Sequence, residues 1–336
     1  MNRWYDGGSK TDEGTSQRER EGSGLVEFLR EKIAQKFPLK STFIVAVSGG
    51  VDSMSLLHLL KHIPHYTYIV VSIDHSIRVD SNEDIAIVRS SALVAGMQCY
   101  TEKAAVPSLA KQQRKGLEET ARDTRYTILQ KYKKQFQAAA IITAHHQDDQ
   151  LETILFHLIR GSDLHGIIGM ETLNKQGIFR PLLTVPKKEL VCYAQEHQLI
   201  WHEDSTNADT SFSRNHIRHN LLKEFPAELL LQASAQAKAT ISELEQFITH
   251  WKQKELKESP SGFTFMRKAF LALPIYIQFY LLQDFTKNHL KLRDYSFSWL
   301  SSMYQWITQS TSGNEYKHRN RVLMHQEKGE ITLVNS

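Results

Sequence analysis

Residues 42–53 read Thr42-Phe43-Ile44-Val45-Ala46-Val47-Ser48-Gly49-Gly50-Val51-Asp52-Ser53. The run from Phe43 to Val47 shows no polar–apolar alternation, so it reads as a strand covered on both faces, which implies a parallel sheet. It ends in Ser-Gly-Gly-x-Asp-Ser, and the apolar stretch from Met54 to Leu60 follows at once as a helix. Two adjacent glycines let backbone N–H groups point into the turn, and the helix N-terminus adds partial positive charge, so an anion can sit there. Ser48 and Ser53 add hydroxyl donors. Asp52 fits beside an anion if a divalent cation lies between them. A plain strand–turn–helix corner capped by Ser53 would share the outline, but it needs no glycine pair, acid and hydroxyls in this order. The corner is neither Gly-x-x-x-x-Gly-Lys-Ser/Thr, whose lysine it lacks, nor Gly-x-Gly-x-x-Gly.

Outward from this corner the pattern repeats. Tyr68 to Ile73 reads as a second buried strand ending in Asp74-His75-Ser76-Ile77-Arg78, and Met97 to Tyr100 as a third. Ala138 to Thr143 is another, running into Ala144-His145-His146-Gln147-Asp148-Asp149-Gln150-Leu151-Glu152-Thr153. Between them, Ser81 with Glu83 and Asp84 starts one helix, and Leu117 to Tyr132 forms another. Strands alternating with helices predict an α/β fold with a doubly wound parallel sheet. Ligands of such sheets lie beyond the carboxyl ends of the strands. The turn at 48–53, the Asp74-His75 corner and the His145–Glu152 segment therefore share one edge.

The 336 residues allow two domains. Residues 1–24 are polar and read as a disordered tail. Residues 25–222 hold the strand–helix repeats. Residues 223–336 read as a smaller, mainly helical domain: 226–257 and Met266 to about His289 are helix-prone, and Arg321–Met324 with Ile331–Val334 flank a hairpin turn at Glu327-Lys328-Gly329-Glu330. No run approaches the roughly 20 apolar residues of a membrane span, and the polar N-terminus carries no secretory signal, so the expected compartment is the cytoplasm. Two cysteines, Cys99 and Cys192, make neither a disulfide framework nor a thiolate metal site. A net charge of +4 permits a polyanionic partner.

Asp148, Asp149 and Glu152 sit at a predicted helix start, where carboxylates can be mere caps. Beside His145 and His146 at a strand end, they read better as a site for Mg²⁺ or a cationic amine. The histidines lack a third ligand for zinc. Arg122 and Arg125 share a helix with Glu118, spaced for an ordinary i, i+4 ion pair with Arg122. Arg160-Gly161 through Gly169-Met170 reads as a helix cap or a loop contacting a large substrate. Between Ser213 and Asn220, Arg214, His216, Arg218 and His219 stand with Asn215 and no acid, a set suited to phosphates and a displayed base.

The corner resembles the pyrophosphate-binding loop (PP-loop) of the N-type ATP pyrophosphatases. Together with Asp74-His75-x-Ile77-Arg78, Arg122-x-x-Arg125-Tyr126, His145-His146-x-Asp148-Asp149-x-x-Glu152, Arg160-Gly161, Arg180-Pro181-Leu182-Leu183 and Arg214-Asn215-x-Ile217-Arg218, residues 43–220 resemble the tRNA(Ile)-lysidine synthetases of that superfamily. The resemblance implies a tRNA-modifying ligase. ATP adenylates the wobble cytidine of a CAU-anticodon isoleucine tRNA and releases pyrophosphate; free L-lysine then displaces AMP to give lysidine. It implies ATP contacts from Ser48, Gly49, Gly50, Val51, Asp52, Ser53, Asp74, His75 and Arg78, and Mg²⁺ on Asp52 and Asp149. It implies catalysis by Asp52, Asp149 and His145, and lysine binding by Arg122, Arg125, Asp149 and Glu152. For tRNA it implies Arg160, Arg214, Asn215 and Arg218, with the domain after 222 as a tRNA-binding domain. No membrane partner is expected, and a homodimer is compatible. The alternatives are a tRNA thiolase of the same superfamily, using the two cysteines, and a small-molecule ATP pyrophosphatase ligase.

Overall fold

The computed structural model describes residues 13–76, 81–159, 164–202, 226–259, 262–290, 292, 296–318 and 321–334. The chain divides into two compact units, 1–235 and 236–336. The division falls inside a long helix, Ala227–Glu255, thirteen residues beyond the expected boundary at 222, which itself lies outside the described residues. Helix α1, Glu13–Ala34, takes in the second half of the stretch read as a tail.

The first unit is built on β1, Thr42–Ala46, at the centre of a sheet ordered β3-β2-β1-β4-β5. Its other strands are β2, Thr67–Asp74; β3, Gln98–Lys103; β4, Ala140–Ile142; and β5, Ile178–Phe179. All four pairings are parallel, with Ile44 opposite Ile69 on one side and Ile141 on the other. Successive side chains of β1 enter opposite layers. Phe43 and Val45 pack with Leu29 and Ile33 of α1, with α2 (Val51–Lys61), with Val88 of α3 (Ser81–Val94) and with Leu190 of α8 (Lys187–Glu196). Ile44 packs on the other face with Leu129 and Tyr132 of α5, Leu117–Gln135, which follows α4, Val106–Gln113; a short α7, Leu164–Ile168, precedes β5. Phe43, Ile44 and Val45 are fully buried, each stabilising the sheet by roughly 2 kcal/mol. The doubly wound parallel sheet is therefore as expected. The two-residue β5 is too short to leave a periodic signature.

The second unit joins the expected helices to a five-stranded antiparallel sheet, ordered β6-β7-β10-β9-β8. Its strands are β6, Lys257–Ser259; β7, Gly262–Met266; β8, Glu315–His318; β9, Arg321–Glu327; and β10, Glu330–Val334. The terminal hairpin is the part visible in sequence. Lys328 and Gly329 both have positive φ, 50° and 85°, as a two-residue hairpin turn requires. The helical stretch 266–289 is broken at Pro274 into Arg267–Leu271 and Ile275–Asp284. No helix among the described residues is long and apolar enough to cross a membrane.

Helices α2 and α8 meet through a ring cluster. His58 Nδ1 lies 2.8 Å from the Tyr193 hydroxyl, with the His62 and His197 rings at 4.9 and 5.0 Å. Burial, then the neighbouring His197, His62 and Lys61, lowers the His58 pKa from 6.5 to about 4. The folded chain thus resists a proton that the unfolded chain accepts. The contribution is complete above pH 6.5 and is lost as pH falls toward 4. Thermal melts across that window should decline less steeply for His58→Gln than for the parent; parallel profiles would assign the acid sensitivity elsewhere.

Candidate active site

The turn after β1 keeps the shape its glycines allow. Gly49 has φ +91°, and a Cβ added there would meet Asp84 Cβ at 3.3 Å. Gly50 caps α2 with an ordinary extended φ of −76°. Ser53 is buried, and its hydroxyl donates to Gly50 O at 2.9 Å and accepts from Ser48 N at 3.2 Å. Ser53 therefore braces the loop, while Ser48 stands exposed at its lip. Val51 opens α2 and Asp52 follows in its first turn. The back of the loop is held by His202, whose N–H donates to Gly49 O at 3.0 Å and whose Nδ1 lies 3.2 Å from Asp84 Oδ1.

Helix α6, Gln147–Ile159, begins beside this corner. His146 is buried, 2% exposed, and its Nε2 lies 3.5 Å from both Asp52 Oδ2 and Asp149 Oδ2. Lys187 Nζ reaches to 4.0 Å of Asp52 Oδ2. Burial works to lower the His146 pKa, but Asp52, Asp149 and Asp148 outweigh it and raise the value above 6.5. His145 goes the other way. Burial first, then Arg180, Arg122 and Arg125 against the opposing Asp149, lower it to about 4, so its ring is neutral at pH 7. Its Nδ1 is 2.7 Å from Thr143 Oγ1.

The two aspartates divide their work. Asp149 accepts from His146 N at 3.0 Å, capping its own helix, and also faces the imidazole. Asp148 accepts from Lys187 N at 3.1 Å, capping α8 instead. Asp149 thus caps its helix while its carboxylate also meets the His146 ring. Glu152 lies on the same helix and is buried, 3% exposed.

Other expected site residues are placed as follows. Asp74 is buried and accepts from Ser76 N at 2.7 Å, closing the turn after β2. His75 Nε2 lies 3.4 Å from Arg125 Nη2, and burial with Arg125 lowers the His75 pKa to about 4 against Asp74. Arg122 lies over the Tyr126 ring, 5.3 Å from its centroid, and not in an ion pair with Glu118. Arg78, Arg160, Arg214, Asn215 and Arg218 lie outside the described residues.

Sequence reasoning gave no specific part to Lys187, Arg180 and Gln150. Gln150 donates to the Ile168 and Met170 carbonyls and accepts from Met170 N, fastening the loop around Gly169, φ +71°. An added Cβ at Gly169 would come within 2.9 Å of that amide. Arg180 lines a cleft of about 500 Å³ with Arg122, Tyr126, Asn174 and Gln176. Pro186 before a Lys-Lys-Glu helix start was the one sequence signal for Lys187.

A glycine corner at the end of a central parallel strand, with carboxylates and cations around it, is a phosphate site of the PP-loop type. Residues 26–225 match the family model of the PP-loop domain, and the chain belongs to that family. Among curated relatives, it is 37% identical to the tRNA(Ile)-lysidine synthase of Thermosipho africanus over 210 residues, 61% of this chain and 49% of that protein. It is 32% identical to the tRNA(Ile)-lysidine synthase of Chlorobaculum tepidum over 212 residues, 61% of this chain and 64% of that protein. These matches thus cover about half to two-thirds of the relatives' length. In fold it is similar to the U34-tRNA thiolase of Methanococcus maripaludis, with TM-score 0.56 and 16% identity over 67% of this chain and 80% of that one.

Proposed function

We propose that this chain joins the ε-amine of free L-lysine to C2 of the wobble cytidine in a CAU-anticodon isoleucine tRNA. The observation that carries the reading is the gathering of Asp52 and Asp149 on His146, with Lys187 beside Asp52, at the mouth of the glycine corner. The name shared by its curated relatives supports it. Such a reaction belongs in the cytoplasm.

In the first step cytidine O2 attacks the α-phosphorus of ATP and pyrophosphate leaves. Backbone amides of Gly49 and Gly50, with the Ser48 hydroxyl, hold the departing anion, and Ser53 keeps the loop in shape. Lys187 provides the positive charge that the loop sequence itself lacks. In the second step the lysine amine attacks C2, the C–O bond to AMP breaks, and the amine sheds its proton to the Asp149 carboxylate. His145, its pKa lowered to about 4 by burial, is neutral near pH 7, and its ring positions reactants by hydrogen bonding.

Mg²⁺ fits the donor set. Asp52 and Asp149, whose Oδ2 atoms each lie 3.5 Å from His146 Nε2, are the carboxylates that would hold it together with phosphate and water oxygens. When bound, it would neutralise phosphate charge.

For the RNA we assign Arg160, Arg214, Asn215, Arg218 and the second unit. Residues 236–336 carry 13 Lys and Arg against 9 Asp and Glu, so the chain's whole +4 excess (41 against 37) lies there.

The test incubates the full chain with ATP, labelled lysine and total tRNA, then identifies the labelled nucleoside. Lysidine should form, and pyrophosphate release should require tRNA. ATP–pyrophosphate exchange without RNA would instead indicate a small-molecule ligase. Burial raises the Cys99 thiol pKa, the opposite of an activated thiolate. Joint replacement of Cys99 and Cys192 by Ser should leave lysidine formation unchanged, and its abolition would point to sulfur transfer.

A further inference from the structure

Helix α8 begins without a capping side chain of its own. Its N-cap is Pro186, which offers neither a side-chain acceptor nor an N–H, and its first helical residue is Lys187. The cap comes from another helix: Asp148 Oδ1 accepts from Lys187 N at 3.1 Å. The preceding residue of α6 ties the same junction, with Gln147 N donating to Val185 O at 2.9 Å and Gln147 Nε2 to Thr184 O at 3.5 Å. The start of α6 is thereby fastened to residues 184–187, and the bond that falls on Lys187 itself is that of Asp148. The Asp148 carboxylate comes no nearer than 3.9 Å to His146 Nδ1, too long for a hydrogen bond. From the residue held in this way, Lys187 Nζ reaches to 4.0 Å of Asp52 Oδ2 at the phosphate corner. The lysine stem is flexible, so the space its amine can search is set by where its backbone is pinned.

We propose that Asp148 is a positioning residue for the pyrophosphate group: by capping α8 it pins the Lys187 backbone where the amine meets the anion. This rests on the function proposed above, which gives Lys187 that anion. Asp148 then acts through geometry, as a hydrogen-bond acceptor, and its negative charge is incidental to the task. Asn caps a helix about as well as Asp, so an amide in its place keeps Lys187 where it is. A metal ligand or a proton acceptor at this position could not be exchanged for an amide.

The experiment is a double-mutant cycle, read by calorimetric titration of inorganic pyrophosphate with Mg²⁺ into the full chain. Lys187→Met should weaken binding by about 10- to 100-fold, the range of a charge-assisted contact. Asp148→Ala should weaken it by about 3- to 10-fold, the value of a lost cap. The double variant should bind no more weakly than Lys187→Met, because no amine is left to misplace. Asp148→Asn should stay within about twofold of the parent. Losses that multiply in the double variant overturn the assignment, since a cap serving only the fold acts independently of the amine. So does Asp148→Ala that binds like the parent, Asp148→Asn as weak as Asp148→Ala, or a parent that takes up no pyrophosphate. Should Asp148→Ala fail to fold, Asp148→Ser, whose hydroxyl sits one bond short of the carboxylate oxygens, reads the same cycle. Lysidine formed alongside multiplying losses would remove the role of Asp148 and leave the reaction standing. The expected cycle in a chain that makes no lysidine would do the reverse.

Discussion

Asp52→Ala should abolish tRNA-dependent pyrophosphate release, a drop of at least about 10³-fold if the carboxylate serves the departing phosphates. The fold should survive. Asp52 is 28% exposed in the first turn of α2, and His146 retains Asp149 when it is gone. The stability lost is the interaction with the helix N-terminus and the partly exposed contacts to His146 and Lys187, about 1 kcal/mol. In a unit of 235 residues that corresponds to a melting temperature lower by about 2–4 °C. Pyrophosphate release at the parent rate would remove Asp52 from the chemistry. A collapse of the melting transition would make it a structural cap.

The second large effect is expected from the glycine pair, whose members differ. Gly49→Ala forces a side chain onto a backbone at φ +91° and within 3.3 Å of Asp84 Cβ. The strain is about 1–3 kcal/mol, and relief by moving the loop would draw the amides off the phosphates. ATP affinity, measured by calorimetry, should fall at least about tenfold. Gly50→Ala is the control: φ is −76°, and the new Cβ meets only Ser48 Oγ at 3.8 Å. Its melting curve should match the parent within about 0.5 kcal/mol. If Gly49→Ala melted and bound ATP like the parent, the corner's shape would not be what holds the nucleotide.

These two glycines mark how far the sequence could be read. The corner was legible because strand, turn and helix are consecutive and each leaves its own local pattern. The doubly wound parallel sheet followed from strand–helix alternation, but its strand order, β3-β2-β1-β4-β5, leaves no local pattern to read. The partners of Asp52 were not legible. His146 is 94 residues away and Lys187 is 135 away, and only folding brings them within 4.0 Å. Adjacent histidines were also indistinguishable as letters. His146 faces carboxylates that outweigh its burial and gains basicity, whereas His145 is buried, with arginines nearby, and loses it. Asp148 and Asp149 parted for a similar reason, since the N-terminus of α8 claims one of them. In the second unit, short apolar runs such as Gly262–Met266 carry too few residues to separate strand from helix by period.

The hold of His202 on Gly49 has a further consequence. It fixes the path length from the end of α8 to the phosphate corner, since one backbone amide must arrive opposite one carbonyl. Residues 197–202 outside regular structure then act as a ruler. Because the tie runs between backbone groups, a single inserted or deleted residue along that stretch would throw the corner out of register.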